Sequence, residues 1–122
     1  MNILVVDDEK IQLVGLRIGL QSRNHKVLTA SSAEEALEFL NNDHNKFELI
    51  VTDYVMPGMD GMALLKKIRE ENKRLPIIMM TAYGEKNLVV DALHNRCNGF
   101  IEKPFSLDQL IEEIERVRID TI

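Results

Sequence analysis

Tryptophan is absent from this chain of 122 residues, and only 5% of its residues are aromatic. Its core must therefore be aliphatic, with six methionines to fill irregular gaps. The single cysteine, Cys97, excludes an internal disulfide and a cysteine-based zinc site, and suits a reducing compartment, so a cytoplasmic location is expected. No apolar run approaches the length of a membrane span, and no membrane association is expected. Met1-Asn2 leads straight into the first predicted strand, so no signal peptide is visible. Basic residues do not pool into one run and the net charge is −5, which argues against direct nucleic-acid binding. His25, His44 and His94 sit in polar surroundings without ligand spacing and read as surface histidines. What remains is the composition of one globular domain over residues 1–122, with 45% hydrophobic and 29% charged residues. That domain is compatible with being the N-terminal part of a longer protein.

Two periodicities alternate along the chain. Short runs, apolar on both faces, read as strands of a buried parallel sheet at 2–6, 49–52 and 77–81. Lys26–Ala30 starts polar and is expected at an edge. A last strand falls at about 98–102. Between them lie helical patterns. Residues 9–23 carry Ile11, Val14, Leu16, Ile18 and Leu20 as an imperfect stripe. Ser31 or Ser32 caps the next helix, where Ser32 and Glu35 offer a capping box ahead of Ala33, Ala36, Leu37 and Leu40. Residues 62–71 place Leu64, Leu65 and Ile68 inward, with Asp60 as turn or cap. Residues 85–95 show Leu88, Val89, Ala92 and Leu93. Ser106 caps a final helix with Leu107, Leu110, Ile111, Ile114 and Val117 in register, and a Glu112–Arg116 pair is expected on its solvated face. The order is βα five times, which implies right-handed crossovers and a sheet covered on both faces.

Asp7 and Asp8 follow the first strand and Asp53 follows the third. Ligands of an open parallel sheet bind beyond the carboxyl ends of its strands. Three carboxylates should therefore meet at one edge, each like-charge pair costing roughly 3 kcal/mol at about 5 Å and an effective dielectric near 20. Such a cluster calls for a cation or raised pKa values, and a metal is the expectation here. Thr81 and Lys103 end the fourth and fifth strands at the same edge. Acids for a metal, with a hydroxyl and an ammonium for phosphoryl oxygens, are the parts of a phosphoryl-transfer site.

At this point the chain resembles the receiver domain of two-component response regulators. The resemblance rests on Leu4-Val5-Val6-Asp7-Asp8-Glu9, on Thr52-Asp53 through Pro57-Gly58-Met59-Asp60-Gly61, on Ile78-Met79-Met80-Thr81-Ala82, and on Phe100-Ile101-Glu102-Lys103-Pro104-Phe105. It spans essentially the whole chain. It implies a flavodoxin-like (βα)5 fold with strand order 2-1-3-4-5. It implies that Asp53 is the phosphoacceptor, taking its phosphoryl group from a sensor histidine kinase or phosphotransfer protein. Mg²⁺, with Mn²⁺ as a substitute, would be ligated by Asp8, Asp53 and the carbonyl of Val55, with Asp7 acting through water. Lys103 would pair with Asp53 and then with the phosphoryl group, and Lys103-Pro104 would be a cis peptide. Ala82 would leave room for the phosphoryl group. Thr81 and Phe100 would be the switch, and the fourth helix, fifth strand and fifth helix the output face. That face would carry Asn87, Asp91, Gln109, Glu113 and Arg116 exposed and could form a homodimer. Catalysis would be confined to the domain's own phosphorylation and dephosphorylation.

Three departures from the family pattern stand out. Arg96-Cys97 replaces a usual Gly-Ala, making a left-handed helix stop costlier by about 1 kcal/mol unless Asn95 takes that role. Val55 has no side-chain donor to orient an attacking water and Tyr83 is bulky; these two tuning positions predict slow loss of the phosphoryl group. Phe100 lacks the hydroxyl of the tyrosine often found there, which predicts a shallower two-state preference. A metal-dependent phosphatase or nuclease is the main rival, but Asp53-Tyr54-Val55 lacks the D-x-D pattern such enzymes use. A nucleotide or flavin binder would need a Gly- or Ser/Thr-rich cradle where Asp7-Asp8-Glu9 stands. A degenerate interaction module would not keep all five site positions.

Overall fold

The computed structural model describes residues 1–120 except 43, 72–73 and 83–85, with only the backbone of residues 86 and 87. Five strands, β1 (Asn2–Val6), β2 (Lys26–Ala30), β3 (Leu49–Asp53), β4 (Ile77–Thr81) and β5 (Gly99–Glu102), alternate with five helices. The helices are α1 (Lys10–Gln21), α2 (Ala33–Leu40), α3 (Gly61–Glu71), α4 (Lys86–His94) and α5 (Leu107–Asp120). All strands are parallel, in the order β2-β1-β3-β4-β5, the flavodoxin-like topology.

The strands form because their side chains can be buried on both sides. Leu4, Val6, Ile50, Ile77 and Met79 face the layer of α2, α3 and α4. Ile3, Val5, Val51, Ile78 and Met80 face α1 and α5. Each large side chain so buried contributes about 1.5–3 kcal/mol. Register then aligns the carboxyl ends: Val6 pairs with Ala30 on one side and Thr52 on the other, and Asp53 pairs with Met80.

Three helices start at side-chain caps, one of them with a displacement, whereas α1 starts at Glu9 without one. Ser32 Oγ accepts the Glu35 N–H at 3.1 Å, but Glu35 reaches back to the N–H of Ser31, at 2.8 Å, rather than that of Ser32. Ser106 and Gln109 form a reciprocal box at 3.1 and 2.8 Å, and Asp60 Oδ1 accepts the Ala63 N–H at 2.9 Å.

Several side-chain expectations are corrected. In α1 the buried stripe is Leu13, Leu16 and Leu20, whereas Ile11, Val14 and Ile18 face solvent, Ile11 at 90% exposure. Leu93 of α4 is likewise exposed. Arg116 does not pair with Glu112; its partners are Glu113, at 2.8 Å, and Asp120, at 2.9 Å. Glu113 is half-buried rather than free at the surface, since its Oε2 accepts the Phe100 N–H at 2.9 Å. His25 is also half-buried, 3.2 Å from the N-terminal amine through Nδ1. Arg96, not Asn95, takes the left-handed conformation, with φ 64°. Its carbonyl accepts two N–H groups of the buried Arg69, at 3.1 and 2.9 Å, which offsets the cost of that conformation.

Candidate functional site

The carboxyl edge of the sheet gathers the acids as its register requires. Asp7 lies one residue past β1, its backbone N–H tied to the Ala30 carbonyl at 3.1 Å, and its side chain is fully buried. Its Oδ1 accepts the Glu9 N–H at 3.0 Å. Asp8 is exposed beside it. Asp53 is the last residue of β3 rather than the one after it, and is 7% exposed. Carboxylate oxygens of Asp7, Asp8 and Asp53 all lie within 4.8 Å of one another.

Lys103 enters from the far side of the sheet. Its backbone N–H donates to the Thr81 carbonyl at 2.8 Å, which extends the β4–β5 ladder by one step. From there its ammonium lies 3.3 Å from Asp53 Oδ1 and 3.4 Å from Asp7 Oδ2. The Lys103–Pro104 peptide bond is cis. Thr81 is buried at the end of β4. Val55 is exposed, and Phe100 is partly buried against the α2–α4 side of the core. Tyr83 and the side chain of Asn87 lie outside the described residues. The structure thus brings Asp7, Asp8, Asp53 and Lys103 together, with Thr81 joined to them through the backbone. Phe100 stands apart, opposite Met79 in the register.

Burial pushes the Asp53 carboxyl upward; Lys103 pulls it down and Asp7 pushes it up again, leaving it above the ordinary carboxylate value. Burial works against the Lys103 charge, but Asp53 and Asp7 overcome it and hold the ammonium above the ordinary lysine value. Three carboxylates against one ammonium leave an excess of negative charge, part of it buried. Oxygen donors with that excess match a hard divalent cation such as Mg²⁺.

Sequence reasoning missed two features. Gly61 opens α3 directly behind Asp53, and a Cβ there would run into the Asp53 carbonyl oxygen. The exposed stripe Ile11, Val14 and Ile18 starts four residues past Asp7. Its spacing is visible in the sequence, but the same spacing suits a buried stripe equally well.

An order 2-1-3-4-5 sheet gives the molecule a flavodoxin-like fold, with clustered acids at the carboxyl edge where such sheets bind their ligands. A family model for the response regulator receiver domain matches residues 3–115, and the chain belongs to that family, the receiver domains of two-component systems. Similar curated proteins include the sensor kinase CckA of Brucella abortus (strain 2308), 36% identical over 94% of this chain and 12% of that protein. Another is the response regulator RppA of Synechocystis, 28% identical over 97% of this chain and 50% of that protein. The chain thus spans half or less of these relatives. Among solved structures, a response regulator receiver domain protein from Clostridium thermocellum superimposes with a TM-score of 0.89. It is 28% identical, with 95% of this chain and 92% of that one covered. NtrX from Brucella abortus gives 0.90 at 34% identity, covering 98% of this chain and 27% of that one. Among the described residues no helix is long and apolar enough to cross a membrane.

Proposed function

We propose that Asp53 accepts a phosphoryl group from the phosphohistidine of a partner kinase or phosphotransfer protein, in a Mg²⁺-dependent reaction that the domain catalyses on itself. The observation that carries this reading is the Lys103 ammonium held 3.3 Å from Asp53 Oδ1 amid three carboxylates. An Asp53 oxygen attacks phosphorus, the phosphorus–nitrogen bond breaks, and its electron pair stays on the imidazole, which takes up a proton. Lys103 holds one Asp53 oxygen and stabilises charge on the phosphoryl oxygens. Asp7 fixes Lys103 from the other side. Thr81 supplies a hydroxyl for a phosphoryl oxygen, and its movement gives Phe100 room to turn, which biases α4, β5 and α5 between two states. Asp7, Asp8, Asp53 and the Val55 carbonyl would hold Mg²⁺, or Mn²⁺. The ion when bound supplies positive charge that neutralises carboxylate and phosphoryl oxygens. Val55 offers an attacking water no hydrogen bond, so the acyl phosphate is long-lived and Val55→Asn shortens its half-life.

A macromolecular donor must dock over this edge, and the exposed Ile11, Val14 and Ile18 beside it form an apolar face suited to a helix of that donor. Two phosphodonors separate chemistry from docking. With acetyl phosphate and Mg²⁺, intact-mass spectrometry should show one phosphoryl adduct, absent in Asp53→Asn. An adduct that persists in Asp53→Asn would overturn the assignment. The double change Ile11→Ser with Ile18→Ser should slow transfer from the histidine donor by about tenfold and leave labelling by acetyl phosphate unchanged.

A further inference from the structure

β2 is a terminal strand of the sheet, so one side of its backbone has no neighbouring strand. Residues along a strand turn their backbone groups alternately to one side and the other. Lys26 donates its N–H to the Met1 carbonyl at 2.9 Å, and the Ala30 carbonyl accepts the Asp7 N–H at 3.1 Å. Lys26, Leu28 and Ala30 therefore face β1, and Val27, Thr29 and Ser31 face outward. Glu35 Oε1 closes the Ser31 N–H at 2.8 Å. The N–H and C=O groups of Val27 and Thr29 have no partner among the described residues.

Two grooves flank this open stretch. One, about 240 Å³, lies between α1 and β2 over Leu13 and Thr29. The other, about 210 Å³, runs along Val27 and the exposed Leu28 to Phe47. Cations rim both: Lys10 and Arg17 the first, Lys26 and Lys46 the second. All four are exposed, and none forms an ion pair among the described residues. Glu35 is the one acid that lines either groove. Four cations against one carboxylate make this edge positive, on a chain whose net charge is −5. We propose that the open edge of β2 docks an extended, aspartate- or glutamate-bearing segment of a partner protein. Main-chain bonds to Val27 and Thr29 hold it, its apolar side chains enter the grooves, and its carboxylates meet the four cations. A second copy of this chain is a poorer match, because it would bring the same cations to the same edge, and like charges on an edge strand oppose pairing.

Docking of this kind needs neither a phosphoryl group nor a metal, so its test uses the unphosphorylated chain in metal-free buffer. The first probe is a labelled peptide, Glu-Glu-Val-Val-Glu-Glu, which as a strand shows valine between carboxylates on both faces. The others are its lysine counterpart, the acidic peptide N-methylated at both valines, and the oligonucleotide hexathymidylate. The acidic peptide should bind, with NMR shifts centred on residues 10–17, 26–31 and 44–47. Arg17→Gln and Lys26→Gln should each weaken it about threefold, and N-methylation by about tenfold. Any of five results overturns the proposal: no binding at millimolar peptide, equal binding of the lysine or N-methylated peptide, equal binding of hexathymidylate, shifts centred on Lys103, or a dimer in sedimentation that buries the β2 edge.

Discussion

Gly61 has no functional group, yet it stands directly behind Asp53, the residue proposed to accept the phosphoryl group. Its amide closes the loop onto the Tyr54 carbonyl at 2.8 Å. An added Cβ would collide with the Asp53 carbonyl and come within 2.8 Å of Met79 Sδ and 2.9 Å of Tyr54 Cα. Two of these obstacles are backbone, so relief requires the main chain at Asp53 or at the start of α3 to shift. Gly61→Ala should cost about 1–3 kcal/mol in urea unfolding and slow labelling of Asp53 by acetyl phosphate, whereas Gly15→Ala, with open space at its Cβ, should do neither. Arg69 teaches a related lesson. In the sequence it is one basic residue in the last turn of a helix, with nothing nearby to mark it. In the fold it is 5% exposed, and it binds the carbonyls of Leu75 and Arg96 and the Asn98 side chain. Those acceptors lie 6, 27 and 29 residues away, beyond the reach of any local pattern.

At the scale of elements, α1 shows why periodicity underdetermines packing. Leu13, Leu16 and Leu20 form one stripe, and Ile11, Val14 and Ile18 form another of the same spacing on the opposite side. Both satisfy a helical period. Only the packing of the helix on β1 and β2 decides which is buried. The α5 helix is tied to β5 through Glu113. Burial alone would raise the Glu113 pKa, but Arg116 and the Phe100 N–H outweigh it and hold the group below the ordinary glutamate value. A depressed carboxylate contributes stability above its unfolded pKa and loses it as pH falls through the folded one. Glu113→Gln should therefore be less stable than wild type at neutral pH, and thermal melts should show the gap narrowing as pH drops below about 4.

For the whole molecule, the decisive term is the uncompensated charge at the carboxyl edge. In metal-free buffer, Asp8→Asn relieves repulsion with Asp7 and Asp53 and should unfold later than wild type, by about 1 kcal/mol. Mg²⁺ should stabilise wild type by about 2.7 kcal/mol at a hundredfold excess over its dissociation constant. Asp8→Asn should lose most of that gain. A melting temperature indifferent to Mg²⁺ in both proteins would remove the metal from the site.

The chain order of strands and helices, the buried strands and the acids at their ends were legible in the sequence, because each is a local property. Two-faced apolar runs have one stable home, and a residue at a strand end keeps its place at the sheet edge. The tertiary structure alone decided which α1 stripe is core, where the donors of Arg69 go, and why position 61 cannot bear a Cβ. Each of these depends on a partner remote in sequence, and local spacing carries no record of what lies across the gap.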